Sequence, residues 1–159
     1  MPTIRGRGID MKLTAHFTKE EMERSNTATR LGLPNACPFE LMPNMLKVAA
    51  ALELVREHFG LPVRVLSCYR SPIVNQAVGG SATSAHRFAL AADITIQGVP
   101  NIKVCEWCAA NIPDYDQVIY EFGEGGWCHL GFTNKEPRKQ YLAATKVDGR
   151  TVYKNRKHN

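Results

Sequence analysis

Residues 117–132 read QVIYEFGEGGWCHLGF. Two short runs rich in β-branched, apolar and aromatic residues flank a glycine-rich turn. Runs of this kind read as strands, and two joined by so short a connection read as a β-hairpin. The chain must therefore contain antiparallel pairing, with successive side chains on opposite faces.

The rest of the pattern alternates helices with short strands. Over 16–30, HFTKEEMERSNTATR places Thr18 three residues before Glu21, a capping-box spacing that opens a helix. The segment 31–44, LGLPNACPFELMPN, carries three prolines and reads as loop. Apolar residues at three and four spacing predict a helix over 44–59, ended by Gly60. VRVLSCY, after Pro62, is an alternating strand. SPIVNQAV reads as a short helix, VGGSATS as loop, ALAADIT as a buried strand, and residues 101–111 as a helix. YLAATKVDGRTVYK carries a hairpin signal at Asp148-Gly149. No internal repeat or linker interrupts the 159 residues, the length of one ordinary domain. The expected class is α+β, a single domain with a small antiparallel sheet flanked by helices. A flexible lead is expected over 1–15, the working domain over 16–145, and a basic tail over 146–159.

Composition narrows the function. Apolar residues make up 44%, enough for a globular core. No apolar run approaches the ~20 residues that span a bilayer, so no membrane partner is expected. MPTIRGRGIDMK lacks the apolar stretch of a secretory signal, which predicts synthesis in the cytoplasm. The net charge of +5 gathers at the ends, in Arg5, Arg7 and Lys12 and in Lys154, Arg156, Lys157 and His158. These are solvated termini or an attraction to an anionic polymer. No nucleic-acid motif or interleaved basic and aromatic stripe accompanies them, so nucleic acid is not an expected partner. Five cysteines, an odd count in a chain of this size, argue against a disulfide framework. Cys105 and Cys108 lie on an amphipathic helix and read as packed, reduced thiols.

The chemistry centres on SATSAHRFALAADI, residues 81–94, where His86 precedes Asp93 by seven positions among small and apolar residues. On spacing alone an ordinary buried strand with two polar residues is the plainer reading, but a loop entering a strand can also bring an imidazole and a carboxylate to one point. A catalytic zinc needs a third ligand and one open position. His129, on the return strand of the hairpin, is the best third ligand; His16 and His58 belong to predicted helices. A carboxylate must also take a proton from the attacking water. Glu121 at the end of the outgoing strand is the first choice, and Glu124 in the turn is the reserve. A cysteine hydrolase built on Cys128 and His129 is disfavoured, because neighbours on a strand face opposite ways.

The stretch SCYRSPIVNQAVGGSATSAHRFALAADI, followed by WCH, resembles the core motif of the zinc D-alanyl-D-alanine carboxypeptidase and phage endolysin family. The matching positions are Ser67, Tyr69, Arg70, Ser71, Asn75, Gly79, Gly80, Ser84, His86, Ala91, Asp93, Trp127 and His129. FTKEEMERSNTATRLGLPN resembles the lead-in of small phage-encoded members, and the likeness covers roughly 16–133. It implies a hedgehog/DD-peptidase-like fold, one zinc ion (Zn2+) held by His86, Asp93 and His129, and substrate recognition by Arg70. Ser84 would hydrogen-bond in the site or cap the local turn, and Trp127 would line the groove. The implied partner is a peptidoglycan stem peptide, cut by a monomer at a terminal D-Ala-D-Ala bond or at an internal bond. The place of action would be the bacterial cell wall. Three departures stand out. Ala89 and Cys68 replace glycines, and Gly126 stands where many relatives carry an acid. The last keeps open an alternative: a non-catalytic, zinc-containing structural or binding protein of a phage.

Overall fold

The computed structural model describes residues 10–157. Arg5, Arg7, His158 and the first nine residues of the expected lead lie outside the described residues. In chain order, the helices are α1 (Lys19–Glu23), α2 (Asn26–Leu31), α3 (Met42–Phe59), α4 (Pro72–Ala77) and α5 (Asn101–Asn111). The strands are β1 (Arg64–Ser67), β2 (Ala91–Thr95), β3 (Gln117–Glu121), β4 (Trp127–Gly131), β5 (Gln140–Val147) and β6 (Arg150–Asn155).

Local chemistry accounts for most boundaries. The Thr18 hydroxyl accepts from Glu21 N–H and starts α1. The single helix expected over 16–30 is two helices. The Ser25 hydroxyl accepts from Ala28 N–H and begins a second one, with Arg24 extended before it. α3 starts two residues earlier than expected, because Pro43 occupies a first-turn position where its missing N–H costs nothing. It ends at Gly60, whose φ of 65° supplies the left-handed cap.

The six strands form one sheet in the order β1-β2-β4-β3-β5-β6. Every neighbouring pair is antiparallel except β3 and β5, which run parallel. The α+β class holds, and the expected all-antiparallel sheet is corrected at this one pair. The parallel pair needs no crossover helix. β5 runs opposite to β4, and the segment 132–139 only steps across the end of β3. The last hairpin turns at Asp148 and Gly149, both with positive φ, the geometry that matches strand twist. It spans both sides of position 145. Arg156 lies over the rings of Tyr120 and Tyr141, at 5.7 and 5.3 Å, and fastens the end of β6.

Strand alternation divides the sheet into two unlike faces. Ala92 and Ile94 of β2, Val118 of β3, and Cys128 and Leu130 of β4 share one core with Val48, Leu52 and Val55 of α3 and with Val104, Cys105 and Cys108 of α5. All five cysteines are buried and unbridged, Cys105 and Cys108 being packed thiols as expected. Asp93, Ile119, Glu121, Trp127 and His129 occupy the intervening positions, and so the face away from this core.

The segment before α1 is tied to α3 through one carboxylate. Glu53 accepts from the Thr14 hydroxyl at 2.8 Å and from His16 N–H at 2.7 Å, and faces the His16 ring nitrogen at 2.8 Å. Burial opposes ionisation, but the His16 ring and the two other donors hold the Glu53 pKa below its ordinary value. Its contribution is therefore complete above about pH 4.3, the ordinary glutamate value, and lost as pH falls through the depressed folded value. Glu53→Gln should lower stability by about 1 kcal/mol near pH 7 and flatten the acid side of the stability profile. Urea titrations between pH 7 and 3 measure this; parallel profiles for the two proteins would contradict it.

Candidate metal centre

Cross-strand register builds the site. In the β2–β4 ladder Asp93 pairs with His129, and in the β3–β4 ladder Ile119 pairs with His129 and Glu121 with Trp127. His86 comes from a 3₁₀ turn over Ala85–Phe88, immediately before β2. The Ser84 hydroxyl accepts from His86 N–H at 3.3 Å and caps the local turn, and Ser84 also lines the cleft. The turn closes at Ala89, buried and left-handed with φ 55°. A left-handed alanine costs roughly 1 kcal/mol, offset by about 0.8 kcal/mol for its buried methyl. Alanine in place of glycine is therefore close to neutral here.

His86, Asp93 and His129 are buried and offer ligand atoms within 4.8 Å of one another. His86 Nδ1 lies 2.7 Å from the Cys68 carbonyl oxygen. A carbonyl only accepts, so Nδ1 carries the proton and Nε2 presents a bare lone pair. That lone pair faces Asp93 Oδ2 at 3.3 Å. His129 Nδ1 faces Asp93 Oδ1 at 3.0 Å and Glu121 Oε1 at 3.5 Å. Acceptors converging in a buried place repel unless a proton, such as one on His129 Nδ1, or a cation lies among them. Burial keeps His86 below its ordinary pKa, against the pull of Asp93. For His129, burial works against the charged form, but the Asp93 hydrogen bond prevails and raises its pKa. Burial likewise opposes ionised Asp93, yet His86 and His129 hold it well below the usual carboxylate range. Two imidazoles and one carboxylate, one imidazole oriented by a carbonyl behind it, are a donor set that fits zinc.

The remaining predicted residues are sorted by position. Glu121 stands on the site face, and burial, then the neighbouring Asp93 charge, push its pKa up to about 7. His129, Arg70 and Trp127 oppose that shift. Glu124 points elsewhere. Its carboxylate accepts from Asn101 N–H at 2.6 Å, Ile102 N–H at 3.1 Å and the Tyr120 hydroxyl at 2.6 Å, and so caps α5. Arg70 follows β1 and lines the cleft. Its Nη1 donates to Asn75 Oδ1 at 3.3 Å, and its buried Nε has no partner among the described residues. Such an orphaned donor calls for a reason, and a ligand is one. Asn75 also donates to the Ser81 carbonyl, holding the 79–84 loop. Trp127 lines the same cleft and meets Phe122 edge-on at 5.5 Å. The cleft encloses about 1280 Å³. Cys128 faces the core, and the Cys105 and Cys108 thiols and burial raise its pKa well above the ordinary value. It is no nucleophile.

The family pattern of Peptidase M15 matches residues 15–130. The chain belongs to the peptidase M15 family. No curated protein matches it. M15 peptidases depend on zinc, and this M15 chain carries a His-Asp-His group able to hold one. Among the described residues, no helix is long and apolar enough to cross a membrane.

The pattern left two contributors unread. The Cys68 carbonyl orients His86, and no residue type signals a backbone acceptor. Gly126, conspicuous for its missing acid, has a steric role. A Cβ there would lie 1.8 Å from the Glu121 carbonyl oxygen and 3.1 Å from Phe122 Cβ. No side chain fits at 126 in this hairpin. Gly126→Ala should therefore destabilise the protein by about 2 kcal/mol and displace the β3 end that carries Glu121. Urea unfolding checks the first effect and zinc-dependent turnover the second. A Gly126→Ala protein as stable as wild type would overturn this account.

Proposed function

We propose that this M15 chain is a zinc-dependent hydrolase of bacterial peptidoglycan, cutting stem peptides or their crosslinks as a D-Ala-D-Ala carboxypeptidase or endopeptidase. It would act at the cell wall as an endolysin-like or virion-associated enzyme. The observation that carries the catalytic reading is Glu121, a largely buried carboxylate 3.5 Å from the ligand atom of His129 and open to a cleft shared with Arg70.

His86 Nε2, Asp93 and His129 Nδ1 would hold the zinc. When bound, zinc supplies Lewis acidity, which acidifies a water and polarises a peptide carbonyl. Glu121 then has two tasks. Its carboxylate takes the proton of the attacking water and returns it to the departing amine, so the C–N bond breaks with neutral products. Arg70 binds a carboxylate or carbonyl oxygen of the peptide through its planar fork, held by Asn75. Trp127 excludes water from one side of the reacting bond. The non-catalytic alternative drew its strength from Gly126. Glu121 provides a carboxylate from the neighbouring strand instead, which favours the enzyme.

Mass spectrometry of muropeptides released from purified peptidoglycan tests this reading. Wild-type protein should bind one zinc per chain, release new fragments, and lose activity to a chelator. Glu121→Gln should keep its zinc and lose turnover by about 10³-fold, within the range for a general base. Glu124→Ala should retain most activity. A zinc-loaded protein that leaves every muropeptide intact would refute the proposal.

A further inference from the structure

The cleft does not end at the metal centre. The sheet order places β1 and Arg70 on one flank of Asp93 and His129, and β3, β5 and β6 on the other. Ile119 pairs with Leu142, and Ala144 with Tyr153, so their side chains share the face that carries His129 and Glu121. Ile119, Leu142 and Ala144 form an apolar cluster separate from the main core, with Phe122 against it. All of β5 and β6 lies outside the residues matched to the family.

Two features suggest that this flank is built to hold something. Phe122 follows Glu121, and alternation alone would send its ring to the helical face. Its φ of 61° is left-handed, costly for an aromatic residue. That conformation turns the ring back to the site face, against Trp127 and the small cluster. The second feature is Lys146. Its ammonium lies 5.6 Å from the centre of the Phe122 ring and donates to the Thr151 hydroxyl at 2.8 Å. Among the described residues it has no carboxylate partner, although it lines the cleft with Arg70 and the metal ligands. A lysine head restrained in this way keeps donors for an incoming anion. Tyr153, 55% exposed, continues the shelf outward.

We propose that Phe122, Tyr153 and Lys146 form a second substrate arm, which takes a carboxylate-bearing part of the peptide on the side opposite Arg70. The inference rests on the peptidase reading above and extends it. Cationic anchors on both flanks suit a peptide that runs through the cleft, with the cut bond internal to it. Peptides of cell-wall type, with a free glutamyl α-carboxylate, have this chemistry.

The test uses the zinc-loaded full chain and L-alanyl-γ-D-glutamyl-L-lysyl-D-alanyl-D-alanine, with its glutamyl α-carboxyl either free or amidated. Binding is measured in a Glu121→Gln background and turnover in the active protein. Lys146→Met should weaken binding of the free acid about tenfold, the loss of one charge-assisted contact, and of the amide less than twofold. KM for the free acid should rise in step, with kcat within twofold. Equal losses for both peptides, or none for either, would overturn the second arm. Lys146-dependent binding without cleavage of either peptide would leave the arm standing and remove the peptidase reading. Cleavage indifferent to Lys146 would do the reverse.

Discussion

Asp93 stands directly across from His129 in the β2–β4 ladder, and the working arrangement of the molecule follows from that register. A slip of one residue would turn Asp93 toward the helices and bring Ile94 to the site, leaving a charge in the apolar core and no ligand set. The register is held from the other side of the sheet, where Ala92, Ile94, Cys128 and Leu130 pack with α3 and α5. The core thus does more than stabilise. By demanding that these apolar residues face the helices, it forces the alternating residues to converge on the opposite face.

That convergence creates an electrostatic need. Lone pairs of His86 Nε2, Asp93 and Glu121 meet His129 Nδ1 in a largely buried place, and a proton on His129 or a cation shared among them makes the arrangement favourable. Backbone supports the geometry where side chains would obstruct it. The Cys68 carbonyl aims His86. Gly126 lets the β3–β4 connection close against the Glu121 carbonyl, and Gly80 leaves room for Asn75, whose Oδ1 a Cβ there would meet at 2.1 Å.

Much of the fold is legible in the amino acids alone. The Thr18 capping signal, the Gly60 terminator and the hairpin around GEGG depend on contacts within a few residues, and each lies where its pattern places it; the helix over 101–111 also does, although its N-terminal cap comes from the distant Glu124. Local signals fail where two are superposed. The Thr18 capping box opens what reads as one helix over 16–30, yet Ser25 is also a good cap, and the chain starts anew there. The parallel pairing of β5 with β3 is not legible, because strand patterns name faces and not partners.

The site divides along the same line. Residue types and spacing only raise His86, Asp93 and His129 as candidates; the resemblance of the stretch from SCYRS to WCH to a known motif makes them a ligand set, and the place of Glu121 at a strand end puts it ahead of Glu124 in the turn. Only the tertiary structure could decide that Glu124 is spent on the α5 N-terminus, that Gly126 excludes a side chain, and that Phe122, Lys146 and Tyr153 extend the cleft beyond Glu121. Each of those outcomes depends on a partner distant in sequence or on a backbone torsion. Such contacts exist only after the sheet has closed, so no local pattern in the amino acids encodes them.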